Sequence, residues 1–213
     1  MSTSRPPAGF FDRADERPDG DFYAQPRLVT HIDAGAVSAV GELYAELGLE
    51  DAGRVLDLMG SWVSHFRRAP DQLVVLGMNP VELEANEQAS SWVVHDLNAD
   101  PRLPFEDASF DGATCCVSVD YLVDPVAVLG DLARVLRPGA VAALTFSNRC
   151  FPTKAVRGWL ETSDEEHVEL VAQFFRDAGG WDEPVGETRV TRSWVGGDPL
   201  WAVHARRSAV ASP

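Results

Sequence analysis

The chain alternates between short apolar runs and longer stretches in which apolar residues recur every three or four positions. "RVLDL" (54–58), "QLVVLGM" (72–78), "SWVVHDL" (91–97), "SFDGATCCVSV" (109–119) and "AVAALTFSN" (140–148) are of the first kind. Near-continuous apolar runs of this length suit strands buried on both faces of a parallel sheet. "AGAVSAVGELYAELGL" (34–49) instead sets Val37, Val40, Leu43, Tyr44 and Leu47 along one stripe of a helix. "PVAVLGDLARVL" (125–136) is a second amphipathic helix, stopped by "RPG". In "NPVELEANE", Asn79 suits a helix cap with Pro80 at the first helical position. "DEEHVELVAQFFRDAGG" predicts a helix closed by paired glycines. "ETRVTRSW" and "PLWAVHARR" have no helix between them and predict an antiparallel pair at the sheet edge.

Strands alternating with helices call for an α/β domain with a mostly parallel sheet and helices on both faces. Five parallel strands and the closing antiparallel C-terminal hairpin make seven. The pattern settles from about residue 27 and runs to 206, which predicts one domain over 27–206. The Pro-, Gly-, Asp- and Arg-rich residues 1–26 are expected as a flexible N-terminal arm, and 207–213 as a frayed tail.

Bulk numbers narrow the function classes. A chain of 213 residues is long enough for one α/β domain with a substantial core. The formal net charge of -15 argues against nucleic acid as a partner, since phosphate binding needs clustered Lys and Arg. No run of about 18 apolar residues predicts a membrane span, and the N-terminus lacks the apolar core of a signal peptide. Cys115, Cys116 and Cys150 are odd in number and have no zinc-type spacing, so no metal site is expected and reduced thiols in the cytoplasm are the default. Oligomeric state is not legible.

The ordered set "LPFEDASFD", "YLVDP" and "ARVLRPGA", spread over about 50 residues, resembles the second half of a class I S-adenosylmethionine-dependent methyltransferase of the small-molecule, type 11-like kind. "HID" before the first helix, "SWVSH" and "FSNRCF" are together similar to a divergent plant and cyanobacterial branch of methyltransferase-like proteins. The resemblance implies a Rossmann-like fold, S-adenosylmethionine as cofactor and a small-molecule acceptor methylated at O, N or S. In open α/β sheets ligands collect beyond the carboxyl ends of the strands. By that map, Asp57, Gly60, Ser61 and His65 face the methionine part, and Gly77, Met78 and Asn79 the ribose. Asp96 and Leu97 face the adenine, and Ser118 lies near the sulfonium.

The chain departs from the family pattern twice. The family's glycines after the first strand fall at Met59, Ser61 and Val63, leaving only Gly60, one position out of phase. The family's ribose-binding acid falls at Gly77, with Glu82 a turn into the next helix. A loop rebuilt around Ser61, Trp62, Ser64 and His65 is the expectation. A methyltransferase-like fold kept as an inactive binding or regulatory module is the alternative. A nicotinamide enzyme is not indicated, because G-x-G-x-x-G with a later ribose acid is absent.

Methyl transfer needs in-line positioning and, for a protonated nucleophile, a base. Asp120, Tyr121 and His31 are the candidates for substrate contact and proton transfer. The plainer readings are a turn cap for Asp120, loop packing for Tyr121 and, for His65 on the first-strand loop, a structural hydrogen bond. Asp33 suits a helix cap, Trp62 a packing anchor, and Cys115 and Cys116 the core, with Cys150 better placed to see the site. Arg27 and Arg149 are either surface cations or partners for a carboxylate or phosphate.

Overall fold

The computed structural model describes residues 6–191 and 197–209. Seven strands form one sheet: β1 Arg54–Leu58, β2 Gln72–Gly77, β3 Ser91–Val94, β4 Phe110–Cys116, β5 Leu136–Phe146, β6 Val185–Val190 and β7 Leu200–Arg206. Their order is β3-β2-β1-β4-β5-β7-β6. The first five are parallel, and β7 enters antiparallel between β5 and β6. The predicted hairpin is therefore present over residues 185–206, although residues 192–196, the last three of "ETRVTRSW" and the two that follow, lie outside the described residues. Strand order reverses between β1 and β4, the place where open α/β sheets collect ligands.

The helices are α1 Asp19–Phe22, α2 Ala34–Glu46, α3 Pro80–Glu84, α4 Pro125–Val135, α5 Arg157–Leu160 and α6 Asp164–Ala178. Their starts follow local chemistry. Asp33 Oδ1 accepts the Ala36 N–H, Asp124 Oδ1 accepts that of Ala127, and Ser163 with Glu166 forms a reciprocal capping box. Alternation along the strands builds two core layers. Leu56, Val74 and Leu144 pack with Leu132 and Phe175 on one face; Val55, Val75 and Ala143 pack with Leu43 and Tyr44 on the other. Among the described residues no helix is long and apolar enough to cross a membrane.

Four features differ from the sequence expectation. The "RPG" segment does end α4 at Val135, yet it is already strand. Leu136 pairs with Phe110, and an irregularity between Phe110 and Gly112 absorbs the extra residues before Val141 comes into register. β3 stops at Val94, so His95, Asp96 and Leu97 lie in the following loop.

The expected flexible arm is docked over its described part. Arg13 bridges to Val156, and Phe10 packs against Gly158, where a β-carbon would find no room. Arg13 and Lys154 both pair with Asp19, at 2.8 and 2.9 Å, with all three side chains under 8% exposed. Burial works against the Asp19 carboxylate, but hydrogen bonds from Arg13, Asn98 and Lys154 hold its pKa below the ordinary value. Contacts this buried fasten the segment to the end of the sheet.

The fourth difference shapes the site. No helix connects β1 to β2; residues 59–71 form an irregular crossover. Phe66 does part of a helix's burying, entering the second core layer with its ring 4.7 Å from that of Tyr44. Side chains beyond β2 satisfy the loop's polar groups. Asn86 Nδ2 donates to Ser61 O and Ser64 Oγ, both at 2.9 Å, and Gln88 Nε2 to Phe66 O at 2.6 Å. A loop this long survives inside a packed domain because its backbone is paired in this way.

Candidate active site

A cavity of about 510 Å³ opens beyond the carboxyl ends of β1 to β4, within the size range of small-molecule sites. The β1 loop supplies Met59, Gly60, Ser61, Trp62, Val63 and His65 to its wall, with Asp57 at its base. Gly77 and Met78 come from the end of β2, Asp96 and Leu97 from the loop after β3, and Ser118 and Tyr121 from that after β4. The docked N-terminal segment closes one side with Tyr23, Arg27 and His31, and the segment after β5 adds Arg149, Cys150 and Phe151. Most of the candidate residues therefore meet in one place.

Asn79 and Asp120 are not among the lining residues, and each is withdrawn for a physical reason. Asn79 is used up as a bracket: its Oδ1 accepts from Val81 N and Glu82 N, and its Nδ2 donates to the Tyr23 and Ala24 carbonyls. No donor remains for a ribose. Asp120 is 3% exposed and its Oδ2 has no partner. Burial pushes its pKa up to about 8, so at neutral pH it is a protonated acid beneath the wall, unable to act as a base on a bound molecule.

Glu82 is the residue that sequence reasoning set aside. It lines the cavity. Its Oε1 accepts the Arg27 N–H and its Oε2 the Ser61 hydroxyl, both at 2.6 Å. A single carboxylate thus joins the N-terminal segment to the β1 loop. The signal was its place on the inner side of a helix starting at Asn79, three residues from the cap.

Gly77 also has a cause. The Gly60 carbonyl and the Leu83 side chain crowd the space where a β-carbon would stand. The rebuilt loop lies on the strand end, and its Gly60 N–H donates to Leu76 O at 2.9 Å. An acid there and this loop path exclude each other.

Backbone strain gathers at the wall. Met59 (φ 54°), His65 (φ 59°) and Val117 (φ 46°) occupy the left-handed region without being glycine, and all three line the cavity. Such residues cluster at binding and catalytic sites because the surrounding structure must over-determine them. Met59 thus makes the turn for which the family uses glycine.

The electrostatics favour neutral groups. Burial raises Asp57 to about 6, against hydrogen bonds from Ser64 and Thr114; Thr114 Oγ1 lies 2.8 Å from Asp57 Oδ1. Burial lowers His65 to about 4, helped by nearby His31, and leaves its Nδ1 without a partner. Burial also lowers His31, partly offset by Glu82. Both imidazoles are neutral at pH 7. The Tyr121 phenol is held well above its ordinary pKa by burial and by Asp120, and its oxygen accepts the Phe151 N–H at 2.8 Å.

One half of this wall carries groups of the kind the adenine of S-adenosylmethionine would need. Asp96 uses Oδ1 to accept the Asn98 and Ala99 N–H groups, and no protein group among the described residues occupies Oδ2. Leu97 beside it offers an apolar surface. The other half is rebuilt: with no helix after β1 there is no helix N-terminus to face an anion, and Ser61 and His65 are the polar side chains the loop presents instead.

Residues 59–144 match the model of a methyltransferase domain family. A demethylmenaquinone methyltransferase of Mycobacterium sp. (strain KMS) is 37% identical over 120 residues, covering 53% of this chain and 51% of that protein. Across the curated relatives it matches, the chain spans from 24% to 60% of their length. Among solved structures, the 4+2 cyclase SpnF superposes with a TM-score of 0.61 at 14% identity, over 90% of this chain and 92% of that one. An S-adenosylmethionine-dependent methyltransferase of Thermotoga maritima, described as a possible histamine N-methyltransferase, does so at 0.57 and 16% identity, over 82% and 91%. Sheet order and these superpositions show that the chain has the fold of class I methyltransferases, and residues 59–144 carry its likeness to the methyltransferase domain family.

Proposed function

We propose that the protein is an S-adenosylmethionine-dependent methyltransferase acting on a small-molecule acceptor. The observation carrying this reading is the cavity at the β1–β4 strand ends with Asp96 and Leu97 on its wall, in a chain whose matched family has that chemistry. Asp96 and Leu97 hold adenine. Glu82, the first carboxylate after β2, takes the ribose task that Gly77 cannot perform. Ser61, His65 and the turn at Met59 take the methionine part. When bound, the cofactor supplies an electrophilic methyl group on a sulfonium.

The chain's own groups do the rest. His31 is the base: a neutral imidazole on the wall accepts the acceptor's proton at a ring nitrogen. Tyr121, whose phenol stays protonated, donates its O–H to the acceptor. Phe151 and Tyr23 keep bulk water from the reacting atoms. The free thiols of Cys115, Cys116 and Cys150 suit action in the cytoplasm.

A second reading has its own support. Loss of the helix after β1, and the Gly60 carbonyl in the space of a ribose acid, favour a scaffold that has left methyl transfer. The 4+2 cyclase above shares this fold, so the fold hosts other chemistry. Isothermal titration with S-adenosylhomocysteine, after mass spectrometry for carried-over ligand, separates the two. Micromolar binding that Asp96→Ala weakens about tenfold or more, the scale of one lost hydrogen bond to a charged group, supports the enzyme. Absence of binding by folded, ligand-free protein supports the scaffold.

A further inference from the structure

The charged side chains of the cavity wall are unequally matched. Asp19 has Arg13 and Lys154. Asp57 has Thr114, Asp96 has two backbone N–H groups, and Glu82 has Ser61 with the Arg27 N–H. Arg149 lies 3.7 Å from Asp198. Arg27 differs: among the described residues no carboxylate pairs with its guanidinium. Nη2 donates to the Phe22 carbonyl at 2.9 Å and Nη1 to that of Gln25 at 3.5 Å, while Nε has no acceptor. Its charge rests on aromatic faces, with Cζ 4.5 Å from the Phe22 centroid and 5.4 Å from that of Phe151.

A half-buried guanidinium without a counter-ion is costly, and the more conspicuous in a chain with 33 acidic residues against 18 basic ones. Ring faces and carbonyls hold it in place without neutralising it. Its position within the cavity is informative. Phe151 follows β5, its N–H donates to the Tyr121 hydroxyl, and the His31 ring stands edge-on to it at 5.3 Å. The Arg27 guanidinium therefore faces Phe151, beside His31 and Tyr121 on the β4–β5 side, while its backbone N–H is held by Glu82 after β2. Asp96, after β3, lies toward the other end of the sheet order.

We propose that Arg27 is the acceptor-recognition residue of this cavity and that the acceptor is a small acid. Its carboxylate or phosphate pairs with the guanidinium fork, and its body packs on Phe151 and Tyr121. The assignment rests on the methyltransferase reading above and names the substrate class that reading leaves open. The carboxylate of the cofactor's methionine part is the other possible source of the anion.

The test compares the wild type, Arg27→Gln and Arg27→Lys by calorimetry. The probes are 4-hydroxybenzoate and its neutral isostere 4-hydroxybenzamide, each titrated into protein saturated with S-adenosylhomocysteine. The wild type binds the acid about tenfold or more tightly than the amide, the scale of a charge-assisted pair. Arg27→Gln loses that preference, Arg27→Lys keeps part of it, and affinity for S-adenosylhomocysteine stays within about twofold in both. Each variant keeps the backbone N–H that Glu82 accepts, and its melting temperature checks the fold. Equal affinity for the two probes, binding of neither, or a preference that survives in Arg27→Gln overturns the proposal. So does a loss of S-adenosylhomocysteine affinity in Arg27→Gln without loss for 5′-methylthioadenosine, since the cation then serves the cofactor. Failure of the wild type to bind S-adenosylhomocysteine at all is the separate failure of the underlying reading.

Discussion

The carbonyl of Gly60 stands where a β-carbon on Gly77 would have to be. The two departures from the family pattern, a changed loop after β1 and a lost acid at the end of β2, are one event in space. Restoring the acid alone therefore fails. Gly77→Asp forces the loop off the strand end and costs about 1–3 kcal/mol, as overpacking of a filled site does. Urea denaturation reads that loss, and calorimetry finds no gain in S-adenosylhomocysteine affinity. A stable variant with improved affinity would mean that the loop moves aside freely.

Restoring the glycine is a different matter. Met59 already holds φ at 54°, so Met59→Gly removes strain of about 1–2 kcal/mol. Against this stand the entropy that glycine loses on folding, about 0.5–1 kcal/mol, and the packing of the Met59 side chain on the first core layer. The expected change in unfolding free energy is within about 1 kcal/mol of zero. A loss as large as that of Gly77→Asp would show that Met59 is held chiefly by its side chain.

Glu82 accepts from Arg27 N and Ser61 Oγ, and Asn86 donates to Ser61 O and Ser64 Oγ. Glu82→Ala leaves two donors stranded at a cost of about 1–3 kcal/mol. Hydrogen exchange should then quicken both in residues 60–65 and around Arg27. Asn86→Ala should quicken the first region and spare the second. Identical patterns would contradict the separate duties assigned to the two side chains.

The strand runs, the caps at Asn79 and Asp33 and the antiparallel close were legible because they depend on local sequence: consecutive apolar residues, a short polar side chain before a helix, two runs with no helix between them. The site was legible as positions, since the fold map located Asp96, Leu97, Ser61 and His65 at strand ends and all of them line the cavity. What escaped depends on distant partners. Asn79 looked free for a ribose until the carbonyls of Tyr23 and Ala24, more than 50 residues away, claimed its amide. Pro- and charge-rich residues 1–26 read as an arm because the ions that bury Asp19 are shared between Arg13 and Lys154, 141 positions apart in the chain.

That shared ion cluster gives a sharp test of docking. Lys154 is fully buried, with Nζ 2.9 Å from Asp19 and 2.7 Å from the Arg17 carbonyl. Lys154→Ala removes one partner and leaves Asp19 with Arg13 and Asn98 alone. Breaking a buried pair from one side costs about 3–5 kcal/mol. Limited proteolysis should cut the variant between residues 6 and 26 where it spares the wild type. Equal resistance would mean that the aromatic contacts of Phe10 and Phe11 hold the segment without the ions.

Asp120 makes stability depend on pH in the sense opposite to a paired carboxylate. Its folded pKa of about 8 lies above the ordinary 3.8, so between those values the folded state keeps a proton that the unfolded chain gives up. Its contribution is complete below about pH 4 and is lost as pH rises toward 8. Asp57 acts in the same sense only up to about 6. His65, lowered to about 4, adds stability as pH rises from there to 6.5 and nothing beyond. From pH 7 to 8, Asp120 is therefore the one of these three groups whose contribution still changes, with a slope of up to about 1.4 kcal/mol per pH unit for a single proton. Denaturant unfolding at pH 7.0, 7.5 and 8.0 should show the wild type weakening and Asp120→Asn, which mimics the neutral acid, nearly level. Parallel slopes in the two proteins would place the titrating proton on some other group and return Asp120 to the ionised carboxylates.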